Sequence, residues 1–433
     1  MSSSGAQDAN NTASTANAAG ADDAGAPVVD ETEAVAVAPS WERRRRAIAA
    51  MVVTSVLVAG QLYAVIPVLA ELARDWKVPP TAPASLITSF GLVCAVAFVL
   101  GGSAARRLGT RPVITLALAA LAFGGAALAA ATSLAAGEAF RIVQGAGAGF
   151  FFAAVLTHLR DRVDPGQWPG TARRAVLTLV GAAVAGPALA EVVAGLVGWR
   201  GVFGVGAVAV VWSGAWLHLV LGRAVHGPRG VLRTTLRQTG TLLVRPRTAL
   251  LCLAALPVFG GMAAVGVALE ALGPTALTAD TDTMFAVRAS AAIPVVVVAA
   301  ADHFLRRLRA LRLAALALAV TAAATAGLWA GGGSAGALAA LLATAALGVA
   351  VAAPALVDAL DAAAGTARDS VLSLSFVAFV LGAGFFPRLV APLAGSGLSA
   401  VVVVVAVLEL VAAGLVIAVD QRRRAPADRT SAD

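Results

Sequence analysis

Apolar residues in this chain come in long blocks, and polar residues are confined to the gaps between them. Twelve blocks stand out, at 47–70, 83–104, 112–132, 135–157, 174–197, 201–221, 249–271, 284–301, 313–331, 335–357, 370–393 and 398–419. Most approach the ~20 residues that an α-helix needs to cross about 30 Å of hydrocarbon. The pattern predicts an all-α integral membrane protein with twelve transmembrane helices. What remains is a polar segment at 1–40, a basic linker at 222–248 and a tail at 421–433.

The pattern also repeats. Residues 170–179 read Gly-Thr-Ala-Arg-Arg-Ala-Val-Leu-Thr-Leu and residues 365–374 read Gly-Thr-Ala-Arg-Asp-Ser-Val-Leu-Ser-Leu, an offset of 195. A second echo relates Arg106-Arg107-Leu108 and 116–119 to Arg306-Arg307-Leu308 and 316–319, an offset of 200. The chain therefore divides into two pseudo-symmetric six-helix halves, 41–221 and 249–420. Two equivalent apolar halves are the plan of a transporter whose site lies between them.

Composition supports the membrane reading: 59% of residues are hydrophobic, 13% are charged and the mean hydropathy is +0.86. A net charge of +8 would suit nucleic acid, but its distribution argues for topology instead. With a cytoplasmic N-terminus and alternating spans, 26 of the 32 basic residues fall on the cytoplasmic side. The exceptions are Arg74, Lys77, Arg141, Arg200, Arg288 and Arg388. Such a bias fixes orientation and places both termini in the cytoplasm, with the spans in the plasma membrane. It implies contact with anionic lipid and no nucleic-acid partner. Residues 1–40 hold too little apolar area to fold and are expected to be a disordered tail. Trp41 and Arg43–Arg46 then form an interfacial anchor.

Several chemistries are missing from the sequence. Its single lysine, Lys77, lies in Asp75-Trp76-Lys77-Val78-Pro79, so no phosphate-binding loop of the Walker type exists. Cys94, Cys252 and the four histidines have no metal-ligand spacing. The expectation is no enzyme, no cofactor and no metal. The work is then driven by a gradient or by a separate ATPase.

Short motifs give this plan a family. The loop after the second block reads Gly102-Ser-Ala-Ala-Arg106-Arg107-Leu-Gly109-Thr110-Arg111. Arg141-Ile-Val-Gln144-Gly145 lies in the fourth block, Gly181 and Gly186-Pro187 in the fifth, and Trp199-Arg200-Gly-Val-Phe203 opens the sixth. Tyr63 and Pro67 close the first. In order and spacing these resemble the major facilitator superfamily, and in particular its drug:proton antiporter branches, across roughly 60–420. The resemblance implies alternating access by a monomer that exchanges a small molecule for protons. It assigns Gly102, Arg107, Gly109 and Arg111 to a cytoplasmic gate motif, whose usual acid is replaced by Arg106. Asp302 in the second half is the candidate to supply that acid. Gly181, Gly186 and Pro187 correspond to the helix-five signature, although its ending departs to Ala190-Glu191.

Ionisable groups inside a span are costly and are functional candidates by default. Glu191, Arg141, Arg288 and Arg388 are the candidates for proton coupling and gating. Glu191 can either bridge to Arg288 across the outer gate or bond Arg141 within its own half. In the first case its proton becomes the switch. Glu138, three residues before Arg141, is expected to pair with it. Glu71 and Glu270 at helix ends are expected to be solvated, and Glu409 to face a neighbouring helix. Gln61, Tyr63, Gln144 and Phe379 are the substrate-cavity candidates, with Trp212 and Trp216 as further apolar wall. The best-supported reading is proton-coupled efflux of amphipathic small molecules. A dedicated metabolite or natural-product carrier, or a non-transporting scaffold or sensor, are the alternatives.

Overall fold

The computed structural model describes residues 41–221, 240, 244–274, 280–331, 334–364 and 371–424. Residues 1–40, most of the central linker, residues 365–370 of the second repeat copy and residues 425–433 of the tail lie outside these residues. The described residues form helices and short turns, without strands. The first half contains α1 (Trp41–Tyr63), α2 (Leu69–Trp76), α3 (Ser85–Leu108), α4 (Thr110–Ala129), α5 (Leu134–Arg160) and α6 (Trp168–Val220). The second contains α7 (Pro246–Leu272), α8 (Thr281–Ser290), α9 (Ala292–Leu305), α10 (Ala310–Gly331), α11 (Ala335–Ala364), α12 (Val371–Phe385) and α13 (Gly397–Arg424).

Among the described residues ten segments are long and apolar enough to cross a membrane. Two of them run for 53 and 52 residues, about twice the ~20 that one crossing requires. Each is broken at a glycine in the left-handed region, Gly198 with φ 71° and Gly397 with φ 79°. Side chains avoid that conformation, so these glycines let one helix end and the next begin with almost no loop. The eighth apolar block is also interrupted: α8 ends at Ser290 and α9 starts at Ala292. The eleventh is shorter than its apolar run suggests. Phe386–Leu389 forms a 3-10 turn containing Pro387, whose missing N–H ends the α-helical ladder.

Within the first half α3 packs on α5, α1 on α6 and α4 on α5; within the second, α10 packs on α11 and α13, and α7 on α12 and α13. Where burial gives no drive between helices, small residues set the close approaches. A Cβ on Gly186 would lie 2.7 Å from the Gly60 carbonyl oxygen, and one on Gly91 would lie 2.7 Å from Gly384 Cα. The second approach joins the halves through α3 and α12. A seam made by α6 against α8, α9 and α11 joins them on another side. The bundle has an arginine-rich end, where α1 begins, called here the basic end, and an opposite far end.

Candidate functional site

Two charged clusters and a large cavity occupy the region between the halves. At the far end of the seam, the Arg288 guanidinium from α8 forms ion pairs with Glu191 of α6 and with Glu270 of α7, the latter at 2.7 Å. All three side chains are about nine-tenths buried. One acid comes from each half, so Glu191 is the cross-half member. Asp280 orients α8 by capping it: its carboxylate accepts from the Thr283 hydroxyl at 2.6 Å and from the Asp282 amide at 3.2 Å. Those contacts, the Thr283 hydroxyl first, hold the Asp280 carboxyl below its ordinary range.

At the basic end the same seam is closed by Arg173, near the start of α6. Its guanidinium pairs with Asp302 of α9, through Nε at 2.8 Å and Nη2 at 2.6 Å, and with Asp358 of α11. Arg173 is 2% exposed, and both acids come from the other half. Asp302 also lies 3.6 Å from Arg306 on its own helix end.

A cavity of ≈ 1110 Å³ enters from the basic end between α1, α5 and α6 and reaches α12. Arg162, Arg174 and Gln167 sit at its mouth, and Phe98, Phe152, Phe376 and Phe379 at its depth. The aromatic end is compact. Phe98 stacks on Phe376 with ring centroids 4.2 Å apart, and Phe152 lies 5.1 Å from Phe376. A second, small cavity continues inward past the same rings and is lined by Tyr63, Cys94 and Phe259.

The predicted residues separate into those that meet and those that do not. Glu191 and Arg288 come together, the first of the two pairings open to Glu191. Arg141 is elsewhere: fully buried, it donates to the carbonyls of Gln61 (2.9 Å), Leu62 (3.1 Å) and Leu86 (3.1 Å), and to Gln144 Oε1 at 3.0 Å. It also lies over the Phe90 ring at 4.4 Å. Its donors go to two carbonyls left open where α1 ends and to one in the first turn of α3, not to Glu138, and it ties α5 to both helices. Arg388 is exposed on the 3-10 turn after α12 and joins neither cluster. Glu270 is a buried member of the far cluster, not a solvated end group. Glu71 is half-buried and accepts from the Trp199 amide at 3.2 Å, capping the helix that restarts after Gly198.

Tyr63 and Phe379 line the cavities, whereas Gln61 and Gln144 do not. The Gln61 amide packs against Gly206 of α6, and the Gln144 side chain fills the space beside Gly124 and Gly125 of α4. Trp212 and Trp216 point outward, Trp212 with 76% of its surface exposed. In the gate motif, Arg107 is exposed, and Gly109 links α3 to α4 with φ 89°. Arg111 donates to the His218 carbonyl at 3.0 Å within the first half. Gly102 and Gly181 have open space where a Cβ would go, Gly186 meets Gly60, and Pro187 is buried inside α6. Asp302 reaches across the halves, where it meets Arg173. Its partner Arg173 was visible as part of the long repeat, but its role was not. Asp358 carried no signal at all.

Comparison with known proteins places this geometry. The Major Facilitator Superfamily profile matches residues 51–387. The fold is similar to the xylose transporter XylE from E. coli in a partially occluded inward-open conformation. That likeness has a TM-score of 0.65 and 13% identity, covering 89% of this chain and 98% of that one. It is also similar to an auto-inhibited POT family peptide transporter, with a TM-score of 0.64 and 15% identity over 90% and 99% of the two chains. No curated protein matches the sequence.

Proposed function

The chain belongs to the Major Facilitator Superfamily, and from that premise we propose that it exports amphipathic small molecules in exchange for protons. The carrying observation is the far-end cluster, in which Arg288 is shared by an acid from each half. In this reading the bundle crosses the plasma membrane twelve times, with the two double-length segments each supplying two crossings. The arginine-rich end lies in the cytoplasm, where short basic loops are retained. The large cavity is then the cytoplasmic entrance, closed on the outside by the cluster.

Glu191 is the coupling residue. Ionised, it holds Arg288 across the seam and keeps the outer face shut. Protonated, it gives up the charge that makes this pair, while Arg288 keeps Glu270 within its own half. Opening therefore leaves no stranded cation, a requirement wherever ions are buried. A proton entering from outside binds Glu191 in the open state and leaves to the cytoplasm after closure. Each cycle moves substrate out and a proton in.

The substrate class follows from the walls. A sugar or a peptide brings many hydrogen-bonding groups, and each buried one needs a partner. The deep part of the cavity offers aromatic rings, with Tyr63 and Cys94 as its polar groups. It suits an apolar body, and the polar mouth suits a hydrophilic head.

The test uses inside-out vesicles with an imposed proton gradient, challenged with a panel of amphipathic compounds. Compound-dependent proton release is expected in the native protein and lost in Glu191→Gln, while substrate counterflow persists in that variant. Proton release that survives in Glu191→Gln would remove Glu191 from coupling. No release with any compound in the native protein would sink proton exchange itself.

A further inference from the structure

Glu409 of α13 is a carboxyl in the interior of the second half, away from both clusters and from the cavity. It is 1% exposed. Its carboxyl shares a hydrogen bond with Thr325 of α10, and its Oε2 has no hydrogen-bond partner. The side chain fits against α7 because residue 261 is glycine: a Cβ there would lie 3.2 Å from Glu409 Cδ.

Among the described residues, no charged side chain of the helices packed against it lies at its level. On α7 the charged side chains are Arg247 and Glu270, fourteen and nine residues from Gly261, and the buried thiol of Cys252 is nine residues away towards Arg247. On α10 it is Arg312, thirteen residues from Thr325, and on α13 itself the nearest is Asp420, eleven residues away. At 1.5 Å per residue, the closest of these levels is about 13 Å distant along the helix. An unpaired carboxylate in such a place costs far more than holding a proton.

The first half contains the same joint in neutral form. There the side chain is Gln61 of α1 and the glycine is Gly206 of α6, and a Cβ at Gly206 would lie 3.2 Å from Gln61 Cδ. The offset of 200 that relates the halves carries Gln61 onto Gly261, and an offset of 203 relates Gly206 to Glu409. Donor side chain and receiving glycine have exchanged helices, but the joint is conserved in shape between the halves. An amide fills it on one side, and a protonated carboxyl is the closest isostere of an amide.

We propose that Glu409 is a second proton-binding site, which keeps its proton in the folded protein and locks α7 to α13 as a neutral group. Losing the proton places an uncompensated charge between these helices and forces the joint apart. Because α7 also carries Glu270 of the far-end cluster, the joint is a positioning element for that cluster. The assignment stands on packing and is independent of the role given to Glu191.

Infrared spectra of the protein in lipid at neutral pH test it. The native protein is expected to show the carbonyl stretch of a protonated carboxyl, absent from Glu409→Gln and retained in Glu191→Gln. Thermal unfolding supplies the second readout. The melting temperature of the native protein falls as pH is raised, and Glu409→Gln removes part of that fall while melting at or above the native temperature at neutral pH. A native spectrum without the band, a band untouched by Glu409→Gln, or an unchanged alkaline slope in that variant each overturns the proposal. So does failure of Glu409→Gln to fold, since an amide of the same shape must fit the joint.

Discussion

Both ends of the seam between the halves are closed by one arginine and two carboxylates, and the two clusters distribute those charges differently. At the far end Arg288 takes one acid from each half, Glu191 and Glu270. At the basic end Arg173 takes both acids, Asp302 and Asp358, from the other half. Separation at the far end leaves Arg288 with a partner. Separation at the basic end leaves Arg173 without its pairs and puts two carboxylates together. Breaking a buried pair by stranding one member costs about 3–5 kcal/mol, so the two ends carry unequal penalties. The far cluster is built to come apart, and the basic cluster to resist it.

The largest effect is therefore expected from Arg173→Met. It removes the shared cation and leaves Asp302 and Asp358 facing each other with like charge, so the basic end should open. Spin labels at Gln167→Cys and Ala362→Cys, on the two halves at that end, would report the change. A shift of most of the population to longer distances is expected, with transport reduced at least tenfold. An unchanged distance distribution would mean that the seam is held by apolar packing and that the cluster is incidental.

Residues that decide this comparison were unequally legible in the sequence. Glu191, Arg288 and Asp302 were visible because an ionisable residue in or beside an apolar block is conspicuous. Arg173 was visible as part of a repeat, but its partners lie 129 and 185 residues away, and hydropathy says nothing about which helix ends meet. Glu270 departs from its expected exposure for a related reason: closeness to a helix end predicts solvation only when no other helix covers that end. Arg388 failed the opposite way, since the apolar run continues beyond the point where Pro387 stops the helix. Gln61 and Gln144 are expected in the cavity because polar groups inside a span usually face one. Here glycines on α6 and α4 receive them, and only the packed register shows it. The repeat is read directly from the order of residues, where duplication leaves its trace without reference to contacts.

A sharper test of the comparison is Glu270→Gln, whose effect should be smaller and opposite in sign to that of Glu191→Gln. With Glu270 neutral, Arg288 keeps its ion pair only while the far end is shut, so opening now strands the guanidinium. The far end should favour closure by about 1.5–3 kcal/mol, the range for hydrogen bonds to charged groups. Maleimide labelling of a cysteine introduced near this end, at the exposed Ser396, should slow relative to the native background, whereas Glu191→Gln should accelerate it. Faster labelling in both variants would show that the cluster holds the end shut as a unit, without the division between cross-half and in-half acids.

The smallest effect is expected at Asp75, which lies at the same end but within one half. Its carboxylate accepts from Trp199 Nε1 at 2.8 Å and pairs with Arg200 at 2.9 Å, and both charged side chains are about half exposed. It joins α2 to the part of α6 that follows Gly198, two elements that move together when the halves rock. Exposed pairs of this kind contribute about 0.2–1 kcal/mol. Asp75→Asn should lower the melting temperature by a few degrees at most, since the asparagine still accepts from the indole, and should leave labelling at both ends unchanged. If Asp75→Asn instead opened the far end as much as Glu191→Gln, closure would depend on the summed charge of that surface. The position of Glu191 across the seam would then have no special part in it, and the contrast between the two clusters would lose its cause.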